Sequence, residues 1–173
     1  HGMIHPWVGY AMKGAIWYQG ESNARRAKEY ETIFPLLILD WRRQWQKELP
    51  YYFVQLANFR KPSTDPGTPD SWAELQNAQR LTLSLPKTGM AVINDIGTAN
   101  NIHPPNKKDV GERLARWALA QDYGKKDVVV CGPLFKAAKN EGGKIRISFE
   151  HARGLKSRDA KPLARFEIAG EDK

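Results

Sequence analysis

Short apolar runs alternate with longer stretches of helical periodicity over the first two thirds of the chain. Gly14-Ala15-Ile16-Trp17-Tyr18 reads as a buried strand. Ala24 to Gln46 then places Tyr30, Ile33, Phe34, Leu37 and Trp41 at three-to-four spacing, which predicts a helix. Asn23 is the expected N-cap, since its side-chain oxygen can accept an orphan N–H of the first turn. Pro35 predicts a break or restart within that stretch, because proline has no N–H and clashes with the preceding turn.

Tyr51-Tyr52-Phe53-Val54-Gln55-Leu56, after Pro50, predicts a second strand, and Asn58 to Asp70 a polar, proline-rich loop. Ser71 is placed to cap a helix from Trp72 to about Leu83, with Glu74 as its capping-box partner. Gly89-Met90-Ala91-Val92-Ile93 predicts a third strand, and Asp95 to Asn106 a loop holding Gly97, Pro104 and Pro105. Lys107 to Gln121 is amphipathic, with Val110, Leu114, Trp117, Ala118 and Gln121 along one side.

Strands alternating with helices in this way predict the α/β class, with a parallel sheet covered on both faces. Ligands bind such sheets beyond the carboxyl ends of the strands. Two segments at those ends carry reactive groups, Gln19 to Asn23 and Asp95 to His103. Past Asp127 the texture changes. Lys144-Ile145-Arg146-Ile147-Ser148-Phe149 and Ala164-Arg165-Phe166-Glu167-Ile168 alternate with period two, as antiparallel strands with one wet face do. The expected division is therefore 1–127 for the α/β part and 128–173 for an incomplete β-rich appendage.

Composition narrows the choices little. The 173 residues suffice for one domain with a full core, and no apolar run approaches the length of a membrane span. The first residues lack the pattern of a signal peptide. Cys131 has no cysteine to pair with and lies in an apolar stretch, which predicts a buried, inert thiol over a reactive one. No Cys/His cluster has zinc spacing. The net charge of +8 favours anionic partners. Its basic doublets, Arg42-Arg43, Lys107-Lys108 and Lys125-Lys126, are scattered without interleaved aromatic residues, so nucleic acid is not expected.

His103 is the first candidate for chemistry. It lies in a loop after a strand, and Pro104 restricts the backbone beside it, which suits a general base held in one pose, although a lone loop histidine is often just a surface residue. In the other segment Gly20 lets backbone approach a ligand, while Gln19, Ser22 and Asn23 offer neutral donors where a helix begins, an arrangement suited to an oxyanion. The plainer reading is a capped turn, with Glu21 favourably near the helix dipole. His151, His1 and His5 join no constellation, and Trp72 is either core or a platform for a sugar ring.

Taken together, Gly14-Ala15-Ile16-Trp17-Tyr18-Gln19-Gly20-Glu21-Ser22-Asn23-Ala24, Asp95-Ile96-Gly97, Ile102-His103-Pro104 and Val110-Gly111-Glu112-Arg113-Leu114 resemble the sialate O-acetylesterase family, within the SGNH-type hydrolases. Asp40-Trp41-Arg42, Val54-Gln55-Leu56-Ala57 and Phe166-Glu167-Ile168-Ala169-Gly170 fit the same pattern. The resemblance implies an SGNH-hydrolase-like, flavodoxin-like three-layer fold, of which this chain forms a part. It implies hydrolysis of O-acetyl esters on sugars by a serine nucleophile, with no metal or organic cofactor, in an extracellular or periplasmic setting. His103 falls on the family's catalytic histidine. Gln19, Gly20 and Glu21 fall on the block that lines the site and helps to form the oxyanion hole, with Ser22 and Asn23 adjoining.

The pattern departs from the family in two places. The nucleophile is expected in a Gly-Gln-Ser-Asn segment well before Trp17, and the sixteen residues ahead of Trp17 hold no serine. It is therefore expected upstream of this chain, with Ser22 as the alternative nucleophile. The acid that orients the base is usually an aspartate two or three residues before it, where Asn100 and Asn101 stand here. Asn101 can orient an imidazole but cannot offset its charge. Asp95 could serve instead if the loop folds back, or could merely brace the loop. A carbohydrate-binding piece without turnover is the rival from a different class.

Overall fold

The computed structural model describes residues 2–63, 65, 68–157 and 159–162. Three strands, β1 (Ala15–Trp17), β2 (Tyr51–Val54) and β3 (Thr88–Ala91), form a parallel sheet in the order β1-β2-β3. Ala15 pairs with Tyr51 and Tyr51 with Thr88, so the three strands start level. The helices α1 (Ala27–Trp45) and α2 (Ser71–Leu81) connect them in turn, and α3 (Lys107–Gln121) follows β3. The α/β, parallel-sheet expectation is borne out.

The alternation of side chains along β2 divides the core in two. All four of its residues are buried, since the strand has neighbours on both edges and helices on both faces. Tyr51 and Phe53 meet Tyr30, Phe34 and Ile38 of α1 and Leu75 and Ala78 of α2. Tyr52 and Val54 face the other way and meet Val110, Leu114 and Trp117 of α3. The result is three layers. Each large apolar side chain removed from water this way contributes about 1.5–3 kcal/mol.

Polar side chains fasten the two ends of the sheet. Arg42, 5% exposed, donates through Nε to Leu49 O at 3.0 Å and through Nη2 to Pro86 O at 2.7 Å. Those carbonyls lie just ahead of β2 and β3, so this cation ties down the amino ends. The carboxyl ends are fastened from α2, as described below.

Four local expectations need correction. The stretch after β1 begins with a 3-10 helix, Glu21–Arg26, and α1 starts only at Ala27, with no side-chain cap. Asn23 therefore does not cap it, and its Oδ1 accepts from Gln19 Nε2 at 2.8 Å instead. Pro35 does not break α1, which runs unbroken through it. Proline costs a helix interior about 3 kcal/mol, but an unbroken helix buries Tyr30, Phe34 and Ile38 together, and that burial is larger. Asp70, not Ser71, caps α2, its Oδ1 accepting from Trp72 N at 2.9 Å. Cys131 is half-buried against the α3-side core rather than enclosed.

The chain divides into two compact units, His1–Pro62 with Pro69–Cys131, and Ser63–Thr68 with Gly132–Lys173. The second holds an antiparallel hairpin of β4 (Leu134–Asn140) and β5 (Ile145–Glu150). They join through Gly142 and Gly143 at φ of 58° and 82°, the backbone of a tight hairpin turn. The period-two pattern located β5 but missed β4, whose residues are nearly all exposed and so show no alternation. The strand expected over Ala164 to Ile168 lies outside the described residues. Among the described residues no helix is long and apolar enough to cross a membrane.

Candidate active site

The loop from β3 to α3 carries His103 at the carboxyl edge of the sheet. Pro104 is fully buried and anchors the loop, while His103 beside it is exposed. The Oδ1 of Asn101 accepts the backbone N–H of His103 at 2.9 Å. Asn101 thus holds His103 through its main chain, in the manner of an Asx turn. The loop is also docked on the segment after β2. Gly97 N donates to Asn58 Oδ1 at 2.9 Å, and Arg60 N to Ala99 O at 2.9 Å. A side chain at position 97 would lie 2.4 Å from Asn58 O, so this approach requires glycine.

At the root of the loop Asp95 is paired with Arg113 of α3. Nη1 reaches Oδ1 at 2.6 Å and Nη2 reaches Oδ2 at 2.8 Å, while Nη1 also donates to Val92 O at 2.6 Å. The hydrogen-bonded carboxylate raises the guanidinium pKa above its ordinary value. Arg113 thus bonds both carboxylate oxygens of Asp95 and braces the root of the loop.

The second segment turns at the end of β1. Gly20 has φ 152°, and a Cβ there would lie 3.0 Å from Gln79 Nε2 and 3.1 Å from Leu75 Cδ2. The Gln19 side chain is fixed at both ends, donating to Asn23 Oδ1 and accepting from Tyr30 OH at 3.2 Å. The bond to Asn23 uses one of the two hydrogens on Nε2. Burial pushes the Tyr30 hydroxyl up to about 12, so it stays a donor at working pH. Burial, and then the charge of Glu21, raises the Tyr18 hydroxyl. Ser22 is exposed on the 3-10 turn.

The two segments share one edge of one sheet. Ile102 and Tyr18 both pack against the core that holds Ala24 and the α2 residues Trp72, Leu75 and Ala78. Lys107, four residues past His103, sets its ammonium 5.0 Å from the centre of the Tyr18 ring. Among the described residues no hydrogen bond joins Ser22 to His103, the contact through which a serine nucleophile is activated.

Sequence reasoning missed the side chains that hold this edge together. Gln79 donates to Gln19 O at 3.1 Å and accepts from Leu56 N at 2.9 Å. Gln76 donates to Leu56 O at 2.7 Å and to Asn94 Oδ1 at 2.8 Å. Trp72 is 5% exposed and donates to Ala57 O at 2.7 Å, which makes it core and brace instead of a sugar platform. The one available signal was polar residues on the buried side of an amphipathic helix. Among the described residues no group of His, Cys, Asp or Glu could hold a metal ion.

Comparisons agree with this architecture. Residues 4–120 match the family described as carbohydrate esterase, sialic acid-specific acetylesterase. A sialate O-acetylesterase of Mus musculus is 34% identical over 96% of this chain, and that of Homo sapiens 36% over 76%. This chain spans about a third of those relatives, 34% and 28% of their lengths. The crystal structure of a carbohydrate acetylesterase from Xanthomonas citri superposes with a TM-score of 0.90 at 44% identity, over 99% of this chain and 40% of that one.

Proposed function

We propose, on the premise that this chain belongs to the carbohydrate esterase family of sialic acid-specific acetylesterases, that it carries the base and the oxyanion side of an O-acetylesterase site. His103 is the general base, and the turn at Gln19 and Gly20, flanked by Glu21, Ser22 and Asn23, faces the ester. One observation supports this reading: the histidine loop and the Gln19–Asn23 block both follow carboxyl ends of strands in one parallel sheet, and Lys107, just past the loop, sets its ammonium 5.0 Å from the ring of Tyr18, just before the block.

In this reading a serine supplied by residues beyond these 173 attacks the acetyl carbonyl. His103 takes its proton and passes it to the departing sugar oxygen, and then activates the water that releases the acetyl group from the serine as acetate. Asn101 sets the pose of the base through the His103 amide, and Asp95 stiffens the loop through Arg113. The substrate is an O-acetylated sugar, and the net charge of +8 favours an anionic glycan. The setting is extracellular or periplasmic, where such glycans are met.

The test is hydrolysis of an aryl acetate and of an O-acetylated sialic acid, by this chain and by a form extended toward the amino end. Turnover in the extended form, lost on the order of a thousandfold in His103→Ala, is expected. Turnover by this chain alone that disappears in Ser22→Ala overturns the external nucleophile. Glycan binding by both forms without turnover overturns the esterase reading in favour of a recognition module.

A further inference from the structure

We infer that Gln79 is the positioning residue of the Gln19–Gly20 turn, fixing from α2 the backbone that meets the ester. The inference rests on the reading that this turn lines the acetyl site. Gln79 is 1% exposed, one of few polar side chains so enclosed among the described residues. Its amide has a fixed donor and a fixed acceptor, and each goes to a different strand end: Nε2 to Gln19 O at 3.1 Å, and Oε1 from Leu56 N at 2.9 Å. The same Gln19 carbonyl accepts from Tyr30 OH at 3.3 Å, so α1 and α2 both hold it. Gly20 gives the amide room to approach, since a Cβ there would crowd Nε2 at 3.0 Å.

One helical turn earlier, Gln76 Nε2 donates both to Leu56 O, just past β2, and to the Asn94 side chain, past β3. The two glutamines thus tie the segments that follow the three strands to α2. Donors aimed at an oxyanion work only if they are already in place, because they act without reorganisation. A buried amide bonded to main chain at both ends gives that rigidity, where an apolar side chain of equal volume would only fill the space.

The experiment uses whichever form of the protein hydrolyses an aryl acetate, with Gln79→Leu, Gln79→Glu and Ile38→Ala compared for kcat, KM and thermal midpoint. Gln79→Leu is expected to lower kcat by about 10- to 100-fold at nearly constant KM, while Ile38→Ala, destabilised but remote from the turn, stays within about twofold. In Gln79→Glu a protonated carboxyl can donate to Gln19 O as the amide does, so the kcat of this variant relative to the parent's at the same pH rises as pH falls. The inference is overturned if Gln79→Leu keeps the parent kcat, or if Ile38→Ala loses as much. Should Gln79→Leu not fold, the pH profile of Gln79→Glu decides alone. Should the parent hydrolyse nothing, the esterase reading fails separately, and the amide resonances of Gly20 and Glu21 decide. Their titration together with the introduced carboxyl supports the positioning role, and their indifference to it overturns that role.

Discussion

Arg113 grips Asp95 with both terminal nitrogens, at 2.6 and 2.8 Å, and caps Val92 O with the same hand. The side chains are 28% and 30% exposed, where a simple ion pair contributes little. The fork is worth more than its charge, because it locks α3 to the root of the His103 loop in one orientation. Arg113→Lys keeps the charge and loses the fork. Both Arg113→Lys and Asp95→Asn are expected to lower unfolding free energy by about 1 kcal/mol in denaturant titrations, with kcat falling less than tenfold. A loss of a thousandfold or more in Asp95→Asn alone assigns Asp95 to the triad.

Asn101 acts on His103 through the amide, so its acceptor matters and its charge does not. Asn101→Asp keeps an oxygen at that place, whereas Asn101→Leu leaves the His103 N–H without it. Hydrogen exchange at the His103 amide should stay slow in the first and rise about fivefold in the second, as loss of one bond worth about 1 kcal/mol requires. Equal exchange in both variants refutes the turn.

Much of this architecture was legible because periodicity is strong where helices cover a sheet. α3 was read at its observed limits, Lys107 to Gln121, since Val110, Leu114 and Trp117 leave one helical face in no doubt. The cap of α2 was misplaced by one residue because Asp70 and Ser71 can both cap, and the choice belongs to the backbone, extended at Asp70 with φ −125° and ψ 96°. The site was half legible. His103 and the Gln19 block stood out by motif, whereas Gln79 and Asn58 bond to main-chain groups 60, 23 and 39 residues away. A bond from a side chain to distant backbone leaves no mark on the composition of either segment.

Two glycines give opposite expectations. Gly97 lies against Asn58, where a Cβ would sit 2.4 Å from both O and Oδ1. Gly97→Ala must push the two loops apart and is expected to destabilise by about 2 kcal/mol. Gly111, inside α3, has open space around it, so Gly111→Ala is expected to stabilise by about 0.5–1 kcal/mol. Thermal midpoints of the two variants moving in the same direction would contradict the packing described.

High pH separates the folded and unfolded phenols. Tyr30 in an unfolded chain releases its proton near pH 10, but burial holds it to about 12 in the fold. The unfolded state therefore binds fewer protons than the folded state over that interval, and stability falls as pH rises. The contribution is whole below about pH 10 and is lost by the time pH passes about 12, roughly 2.7 kcal/mol for two units. Burial raises Tyr51 and Tyr52 as well, which deepens the fall without changing its sign. Denaturant titrations at stepped alkaline pH, read by circular dichroism beside phenolate absorbance, measure the slope. Tyr30→Phe gives up the hydroxyl bonds to Gln19, so it starts less stable, but its slope between about pH 10 and 12 should be shallower by close to one proton. A slope unchanged from the parent would mean that Tyr30 does not hold its proton against Gln19 in the fold.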